Sequence, residues 1–436
     1  MKLNKPVIML LVVLFTVLAV VVAVPSILSS GSTYEQYLKE ARAFSEKNLR
    51  QKAMVAYENA LAEEDSLSLR IEMVNNYKKG LENGEFASFY SFSNFLLETL
   101  DSYRKEPKAY DTVAQCYYDF GKIEDCVSII YQAEDFGIST EVINKLREKV
   151  RYMCQLNYGS YENVVLTTED TYLLISDKYS IHNSQLGSMT GERYEFATPM
   201  FEGFALVKTE EYAYLISDQT VREAYYPLDM TDSSGVGESL IAIKVGEKYT
   251  YYDLEGKAVF GKYDYAGRFA NGVAPVRNGD EWSLIGTDGK QITKKTFEDI
   301  KLSQSQDCSQ SGLIFAKTDG KYYLYDCGLN KICNTGFDDV DVFIHSKEYA
   351  AVKIGDEWGF IDAKGKTVIK PQYEEARSFS YGLAGVKDGD YWSFINVDNK
   401  EAVTGQYSDV NYFNVDGYCF VKGEEYWQYI MRYYNR

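Results

Sequence analysis

Histidines and clustered acids are the side chains in this sequence that could do chemistry. The two histidines, His182 and His345, have no cysteine, serine or acid motif beside them at catalytic spacing. Acidic runs at 338–341 and 374–375 could hold calcium or supply the carboxylate pair of a glycoside hydrolase. However, these runs fall at one repeated position where the residue type varies, as solvated turns do. We therefore expect no catalytic residue, no metal site and no cofactor.

Two further patterns are also interpreted as structural. The Gly-rich segment 233–237 lacks the following Lys and helix of a phosphate-binding loop. The seven cysteines include no Cys-x-x-Cys pair and are odd in number, which argues against a zinc site and against a full disulfide framework. One disulfide within the group Cys308, Cys327 and Cys333 remains open.

The charge balance bears on the class of partner. Of 436 residues, 46 are Lys or Arg and 64 are Asp or Glu, so the formal net charge is −18. Such an acidic surface repels phosphate backbones, and we expect no nucleic-acid partner. Tyrosine is abundant, with 39 residues against 22 Phe and 4 Trp. Because aromatic side chains suit half-buried pleated surfaces, the composition favours β-strands.

The N-terminus carries an apolar segment. Lys2 and Lys5 precede an apolar run at 7–28, which is about the length needed to cross ~30 Å of hydrocarbon as a helix. We predict a single-pass signal anchor at 7–28, a cytoplasmic tail at 1–6, and a cell-membrane protein whose C-terminal domains are extracytoplasmic. A signal peptide cleaved near residues 29–31 is the alternative.

Helical periodicity follows over residues 33–152. Small residues recur at fixed steps with large residues between them, which lets paired helices approach closely. Two copies are present: Ala41, Phe44, Ala53, Tyr57 and Ala60, then Ala114, Tyr117, Cys126, Ile130 and Ala133. The interval between them leaves room for one degenerate copy. Its candidate residues are Val74, Tyr77, Phe86 and Tyr90.

This spacing resembles the tetratricopeptide repeat, a helix-turn-helix unit of about 34 residues. The chain departs from that pattern, because Tyr37 and Tyr110 stand at the usual Trp position and Asp65 and Ile138 stand where a Pro often ends the second helix. The resemblance implies an all-α stack of helices. Such a stack serves either as a spacer or as a groove for a protein partner, and both alternatives stay open. The aromatic segment 86–92 fits a packed helix.

From about residue 156 to residue 436 the pattern becomes alternating and repetitive. Each unit has an aromatic anchor followed by small and aliphatic residues. The anchors are Tyr172, Tyr212, Tyr249, Trp282, Tyr322, Trp358, Trp392 and Trp427. Their even spacing predicts an all-β repeat domain with about eight units, in which the anchors are structural. At Tyr212 the pattern also fits one residue later, at Ala213.

Three further signatures recur among the units. An Asp-initiated turn with Gly, as at 362–365, closes a hairpin, because Asp bonds the backbone two residues on and Gly takes a positive φ. An aromatic residue followed by acids comes next, as at 373–375. A Gly-aliphatic-Ala-x-Val segment follows, as at 272–276 and 382–386, where we expect small residues to let strands pack closely.

The signatures together resemble the bacterial WG repeat, named for the pair seen here at Trp358-Gly359. The similarity is highest at 353–395, good at 268–292 and degenerate at 160–255, where Tyr replaces Trp. The resemblance implies a β-propeller-like domain, and a shared sheet formed by the first and last strands would remove the exposed edge. An open, solenoid-like array with capped ends is the alternative.

The sequence therefore predicts three parts: a transmembrane helix, tetratricopeptide-like helical repeats and an all-β repeat domain. The expected function is a non-catalytic binding or scaffold protein at the cell surface, with an unidentified protein partner. A carbohydrate- or cell-wall-binding module and, more remotely, a propeller-type glycoside hydrolase are the alternatives. Ligand contacts are expected where the copies disagree, in the loops near 183–193, 229–238 and 303–311.

Overall fold

The structure, a computed structural model, divides the chain into two compact units that meet in sequence between Val150 and Arg151. The described residues are 32–167, 171–217, 221–309, 311–344 and 348–434. The predicted cytoplasmic tail at 1–6 and the predicted anchor at 7–28 lie outside them. No helix in these ranges combines the length and the apolar character needed to cross a bilayer.

The first unit is all α. Its helices within residues 32–150 are α1 Thr33–Glu46, α2 Arg50–Glu63, α3 Leu67–Glu82, α4 Phe89–Ser102, α5 Pro107–Asp119, α6 Ile123–Asp135 and α7 Glu141–Val150. Serines begin three of them: the side chains of Ser32, Ser66 and Ser88 accept hydrogen bonds from N–H groups three residues on, at 3.2, 3.3 and 3.4 Å. These bonds satisfy donors that have no partner inside the helix.

The small residues of the two predicted copies lie where helices meet. Ala41, Ala53 and Ala60 are fully buried in one cluster with residues of α3. Ala114, Cys126 and Ala133 are also fully buried. The predicted tetratricopeptide-like packing of this unit is therefore confirmed.

The degenerate middle copy differs from its prediction at one position. Val74 is buried, and the rings of Tyr77 and Phe86 lie 4.6 Å apart. Tyr90, however, is 75% exposed, and the core position is taken by Phe92. The prediction for Tyr90 is wrong because two residues along a helix turn the side chain to the far side of its axis.

The second unit is all β, and its described residues form eight small antiparallel sheets. Sheet 1 contains β2 Asn163–Leu166, β3 Tyr172–Ile175 and β4 Tyr179–His182; sheet 2 contains β5 Phe196–Ala197, β6 Phe204–Lys208, β7 Ala213–Ser217 and β8 Val221–Tyr225; sheet 3 contains β9 Met230–Gly237, β10 Leu240–Val245, β11 Lys248–Asp253 and β12 Ala258–Tyr263; sheet 4 contains β13 Tyr265–Ala266, β14 Val273–Asn278 and β15 Glu281–Gly286.

The other four sheets continue the same order. Sheet 5 contains β16 Asp299–Ile300, β17 Leu313–Thr318 and β18 Lys321–Asp326; sheet 6 contains β19 Asp339–Val340, β20 Ala350–Ile354, β21 Glu357–Ile361 and β22 Thr367–Tyr373; sheet 7 contains β23 Glu375–Ala376, β24 Leu383–Asp388, β25 Tyr391–Asn396 and β26 Glu401–Tyr407; sheet 8 contains β27 Asp409–Val410, β28 Tyr418–Lys422, β29 Trp427–Arg432 and, from the start of the unit, β1 Cys154–Tyr161.

The sheets form a closed ring. A buried apolar cluster joins each sheet to the next along the chain. One further cluster joins sheet 8 to sheet 1, with Phe420 packed against Tyr172. Strand β1 pairs antiparallel with β29, with Leu156 opposite Ile430. The first and last strands therefore share one sheet, and the open array considered from the sequence is not the arrangement in the structure.

The predicted Asp turns form as expected, with one exception. Asp362 Oδ1 accepts hydrogen bonds from the N–H groups of Lys364 and Lys366, both at 2.9 Å, and Gly365 has a φ of 78°. In the turn that begins at Asp326, Leu329 rather than Gly328 takes the positive φ, at 61°.

The Gly-aliphatic-Ala-x-Val segment has a different physical basis from the one predicted. A Cβ placed on Gly272 or Gly382 would meet no atom within 4 Å, so close packing does not require glycine at either position. Their φ values, 81° and 78°, follow φ values of 50° at Asn271 and Tyr381. Two successive positive φ angles define the type I′ hairpin turn. Glycine is therefore selected by the turn, while the Ala two residues later is buried.

Candidate binding surfaces

Most of the predicted anchors occupy one register position, which accounts for their even spacing in the sequence. Six of the eight lie opposite a basic residue of the preceding strand. The pairs are Lys244 and Tyr249, Arg277 and Trp282, Lys317 and Tyr322, Lys353 and Trp358, Lys387 and Trp392, and Lys422 and Trp427. Tyr172 lies opposite Leu166.

The anchors are buried to different extents. Tyr172, Tyr249, Tyr322, Trp392 and Trp427 are buried, whereas Trp282 and Trp358 are half-buried. The buried rings pack within the clusters between sheets. They are unavailable as platforms for a ligand.

Tyr212 is not an anchor. Its side chain is 53% exposed, and the residue opposite Lys208 is Ala213, which is buried. The pattern is therefore displaced by one residue at this unit, and an alanine holds the anchor position. A shift of one residue moves a side chain to the other face of its strand, which explains why Tyr212 faces solvent.

In three units the first acid after the aromatic residue, Asp264, Glu298 or Asp338, accepts a hydrogen bond from an N–H group in a turn of the next sheet. Asp264 accepts hydrogen bonds from Gly279 N at 2.8 Å and Lys248 Nζ at 2.5 Å. Asp338 accepts them from Gly355 N at 2.9 Å and from Lys321 Nζ. The lysine ammonium, followed by the backbone N–H, holds the pKa of each carboxyl below its usual value. The recurring acids are thus parts of the fold, and the interpretation as purely solvated turns is incomplete.

In two sheets an acid of the first strand accepts a hydrogen bond from the anchor hydroxyl of the same sheet. Tyr249 Oη donates to Asp232 Oδ2 at 2.5 Å, and Tyr322 Oη donates to Asp299. Burial, followed by the adjacent carboxylate, raises the pKa of each tyrosine. Each tyrosine therefore stays protonated and remains a donor.

Residues considered for chemistry have structural surroundings. His182 has a partner at both ring nitrogens, Leu186 O at 3.0 Å and Ser180 Oγ at 3.1 Å. His345 lies outside the described residues. No group of three or more His, Cys, Asp or Glu side chains within the described ranges is arranged to hold a metal ion. All seven cysteines fall in those ranges and all are free thiols.

A cavity of about 170 Å³ lies in the β unit, lined by residues of sheets 1 and 2 and of two further segments. One wall is apolar and comes from those two sheets. It consists of Val165, Leu173, Ile175, Tyr179, Phe196, Ala197, Pro199 and Phe201. The remaining lining is polar and comes from Thr198, from β9 and from the segment between β16 and β17. It consists of Thr198, Asp232, Ser233, Ser234, Gln304, Ser305 and Gln306.

The segment at 303–309 reaches the cavity by crossing the middle of the ring. The Gln304 amide accepts a hydrogen bond from Leu166 N at 3.3 Å and donates one to Asn411 Oδ1 at 3.2 Å. Since sheet 5 is four sheets from sheet 1 in either direction, this contact must pass through the centre. The segment is held by a buried ion pair, in which Arg268 Nη2 lies 2.9 Å from Asp307 Oδ2. The Arg268 guanidinium also lies over the Phe201 ring, 4.1 Å from its centroid.

Gln306, in the same segment, carries a buried side-chain acceptor. Its Oε1 atom is buried, and no described group donates a hydrogen bond to it. A buried acceptor without a partner costs free energy, so such atoms are uncommon in folded proteins. The loops at 229–238 and 303–311, chosen from the sequence because the copies disagree there, both line this cavity. The third loop, 183–193, does not; its Ser184 carbonyl accepts a hydrogen bond from Asn414 at 2.7 Å.

A second concavity lies on the helical unit. It is an open groove of about 670 Å³ between the ends of α4 and α6, with Tyr110 of α5 at its base. Leu97 and Phe136 line it and are 47% and 55% exposed. Its other lining residues are Asn94, Glu98, Leu100, Asp101, Arg104 and Gln132. The sequence predicted a possible partner groove but did not identify these residues.

Comparisons with known proteins bear on the β unit. Residues 249–282, 358–392 and 392–427 match a family model described as the WG containing repeat. A search of curated proteins found no match. The matched segments include the regular sheets 6 and 7 and exclude sheets 1 and 2, as expected from the degenerate pattern there.

Solved structures give weak similarities. The TPR2AB domain of yeast Sti1 in complex with a pHSP90 is 14% identical, with 27% of this chain and 46% of that chain covered and a TM-score of 0.22. PorZ, a bacterial surface component of the type-IX secretion system of Porphyromonas gingivalis, is 10% identical, with 60% and 43% covered and a TM-score of 0.32. The β-propeller domain of Cps50 (Swd1) from Myceliophteria thermophila is 9% identical, with 63% and 97% covered and a TM-score of 0.34.

The present chain spans less than half the length of the Sti1 and PorZ structures. All three TM-scores are below 0.5, so these similarities assign no function. The repeat matches, the ring of small sheets and the paired helices are consistent with one another. The chain therefore carries WG repeats in a β-propeller-like ring, preceded in sequence by a tetratricopeptide-like helical unit.

Proposed function

We propose that this protein is a membrane-anchored, extracytoplasmic scaffold that binds a protein partner and has no catalytic activity. The observation that carries the proposal is the groove on the helical unit, whose lining contains the exposed side chains of Leu97 and Phe136 together with acidic residues. Apolar side chains in a concave surface with a polar rim are typical of protein-binding sites.

The chemistry of the groove defines the partner. Leu97 and Phe136 offer apolar contact, and Glu98 and Asp101 place carboxylates beside them. Arg104 is paired with Asp101, so the groove has no unpaired cation among its lining residues. The complementary partner is a protein segment that presents large apolar side chains next to Lys or Arg.

Membrane attachment is proposed from the sequence. Lys2 and Lys5 before the apolar run at 7–28 support an uncleaved anchor with its N-terminus in the cytoplasm. After alkaline extraction, the full-length chain is expected in the membrane pellet. Exposure of the remainder outside the cell is expected from its cleavage by protease added to intact protoplasts. A shed protein lacking residues 1–30 would contradict the anchor.

A non-catalytic role is supported by how the acids are used. Asp264 and Asp338 are hydrogen-bonded to the N–H groups of neighbouring turns, and Asp232 and Asp299 accept from tyrosines. These carboxylates hold the ring together. Measurable turnover on a panel of glycosides, abolished by one Asp or Glu substitution, would contradict this part of the proposal.

The binding proposal is tested by capture from cell-envelope extracts with the region 30–436, followed by direct affinity measurement with the captured protein. We expect Leu97→Ser combined with Phe136→Ser to weaken binding by about tenfold or more, because apolar anchors at the centre of an interface dominate its affinity. Val55→Ser is the matched control, since Val55 is 59% exposed on α2 and does not line the groove. Equal loss of binding in the control, or none in the double variant, would exclude the groove.

A further inference from the structure

We propose that the periphery of sheets 3 to 7 binds a flexible, linear anionic polymer. Gln304 and Asn411, which meet at the centre of the ring, each follow the first strand of a sheet, so the segment after the third strand lies at the periphery. In sheets 3 to 7 the peripheral segments, together called the outer band, are 257–263, 290–297, 330–337, 364–373 and 400–407. The inference is separate from the helical groove, which belongs to the other unit.

The outer band is basic, although the chain is acidic. Its five segments contain ten lysines, all of them exposed, and one acid, Glu401. Charged residues of either sign protect a sheet edge against pairing with another chain, so edge protection alone does not explain the excess of one sign. In a chain with a net charge of −18, this local excess of lysine indicates an anionic ligand.

Most of the lysine ammonium groups are not engaged by acids. Among the described residues, Lys290 is the lysine of the band with an acidic partner within 4 Å, namely Asp288 at 2.8 Å. Lys295 and Lys331 lie over tyrosine rings, with Lys331 Nζ 3.5 Å from the centroid of Tyr323. The other lysines are free to bind phosphate or carboxylate groups, for which an ammonium is a strong hydrogen-bond donor.

One arrangement recurs along the band. In four sheets a lysine carbonyl accepts the hydrogen bond that closes the turn, so these lysines share one register position: Lys257, Lys290, Lys366 and Lys400. An aliphatic residue that is 36–49% exposed lies two positions later in three of those sheets, and at the equivalent position in sheet 5. These residues are Val259, Ile292, Ile332 and Val368. A cation near an apolar side chain suits a polymer whose anionic groups alternate with C–H groups.

The geometry of the ring selects a flexible polymer. Packed sheets lie about 10 Å apart, so a single phosphate contacts the lysines of one sheet, whereas a chain contacts several sheets and gains in overall affinity. In a ring of eight, sheets 3 and 7 lie on opposite sides, and a flat bilayer meets the periphery on one side only. Bending duplex DNA, with a persistence length of about 50 nm, around a ring of about 2 nm in radius is costly.

The acids near the band do not cancel its charge. The turns that open the segments contain Asp253, Asp288, Asp326 and Asp362, each of which accepts a hydrogen bond from an N–H group of its own turn. The acids between the second and third strands lie at the far end of a third strand of five or six residues. Such a strand is about 17–20 Å long, beyond the Debye length of about 8 Å at physiological ionic strength. Repulsion from those acids is therefore largely screened where the band begins.

The test measures binding of fluorescently labelled polymers to the full chain held in phosphatidylcholine nanodiscs. Long-chain polyphosphate and polygalacturonate are the probes, and tripolyphosphate is the short control. We expect at least one polymer to bind about tenfold more tightly than tripolyphosphate, and to bind more weakly as salt increases. Tighter binding of polyphosphate would identify a phosphate polymer as the ligand; tighter binding of polygalacturonate would identify a carboxylate polymer.

The main variant replaces the four lysines of the shared register position with Gln. We expect its polymer affinity to fall about tenfold or more and to depend less on salt, because fewer counterions are displaced. Its melting temperature should not change, since the four side chains are exposed. The matched control removes the same charge from exposed lysines of the helical unit: Lys39→Gln, Lys52→Gln, Lys79→Gln and Lys108→Gln. We expect little change of polymer affinity in the control.

Three results would overturn the proposal. The first is failure of both polymers to bind the unmodified chain, and the second is an equal loss of affinity in the main variant and the control. The third is the finding of a different ligand for the band. Displacement of bound polymer by phosphatidylglycerol vesicles would identify a membrane surface, and tighter binding of duplex DNA than of either polymer would identify a nucleic acid.

Discussion

Sheets 6 and 7 follow the WG repeat closely, whereas sheets 1 to 3 depart from it, and both groups form parts of the same ring. The regular sheets have Trp358 and Trp392 at the anchor position, and the irregular sheet 2 has Ala213 there. Sheet 2 nevertheless shares its register with the regular sheets: Ala213 lies opposite Lys208, as Trp358 lies opposite Lys353 and Trp392 lies opposite Lys387. The ring therefore keeps this register position but accepts side chains there as different in size as Trp and Ala.

The irregular sheets are also where the cavity lies. Its walls come from sheets 1, 2 and 3 and from the long segment of sheet 5. Between the regular sheets 6 and 7, aromatic residues such as Phe360 and Phe379 are packed together, with ring centroids 4.9 Å apart. The comparison suggests that loss of the repeat pattern in sheets 1 to 3 accompanies the opening of the cavity.

The largest expected effect compares two apolar clusters: the one between sheets 8 and 1, which closes the ring, and the one between the regular sheets 6 and 7. Phe360 lies in the cluster between sheets 6 and 7, and Phe420 lies in the cluster that closes the ring. The test replaces each of them with Ala. Both side chains are fully buried. We expect each substitution to lower the free energy of unfolding by about 3–5 kcal/mol, measured by urea denaturation of the isolated β unit. A cost for Phe420→Ala far below that of Phe360→Ala would show that the ring is readily opened.

The next prediction separates a true anchor from a false one. Trp358→Ala removes a half-buried anchor, and we expect it to cost about 2 kcal/mol of unfolding free energy. Tyr212→Ala removes an exposed ring and should change it by about 0.5 kcal/mol or less. A large cost at Tyr212 would contradict the one-residue displacement found in sheet 2.

A third prediction has opposite signs in the two groups of sheets. Gly382→Ala in sheet 7 should destabilise the β unit by about 1–2 kcal/mol, because alanine disfavours a φ of 78°. Ser239 holds the corresponding turn position in sheet 3 with a φ of 63°. We expect Ser239→Gly to stabilise the unit by about 1 kcal/mol. Thermal denaturation of both variants checks the pair, and equal signs would contradict the turn assignment.

The smallest expected effect concerns pH. The pKa of Asp338 is held below its usual value, so its stabilising contribution is complete above an unfolded pKa of about 3.9 and is lost as the pH falls through the depressed folded value. Asp338→Asn should therefore lower the melting temperature at neutral pH and have little effect in strong acid. Asp264→Asn should show the same pH dependence of the melting temperature, since Lys248 and Gly279 hold the pKa of Asp264 below its usual value in the same way. A constant difference across the pH range would contradict this assignment.

Local rules made much of the fold predictable. Asp362 accepts a hydrogen bond from the backbone N–H two residues on, as expected for an Asp that begins such a turn. The number of evenly spaced anchors predicted the number of sheets. The closing of the ring was also accessible, since the first and last units are partial. The anchor of sheet 2 was predicted at Tyr212 instead of Ala213 because Tyr212 and Tyr214 flank Ala213. Aromatic residues at alternate positions fit the pattern in either register.

The candidate sites were less predictable, because they depend on contacts distant in sequence. The cavity joins Asp232 to Gln306 through a segment that crosses the ring, and no local pattern specifies that path. Sequence reasoning located two of its loops only by their irregularity. The helical groove was missed for a related reason: Leu97 and Phe136 belong to different helices, and each alone is an ordinary exposed apolar residue.

Sheet 8 combines the first strand of the β unit with its last strands, and this affects how the protein folds during synthesis. Strand β1 leaves the ribosome first in this unit, and its partner β29 is the last strand to emerge. Until residues Trp427–Arg432 have been synthesised, β1 has an unpaired edge that other chains could join. A chain that stops early cannot complete the ring at all. Sheet 8 can therefore form only in a chain that has been synthesised through β29. Prematurely terminated products should be prone to aggregation and proteolysis.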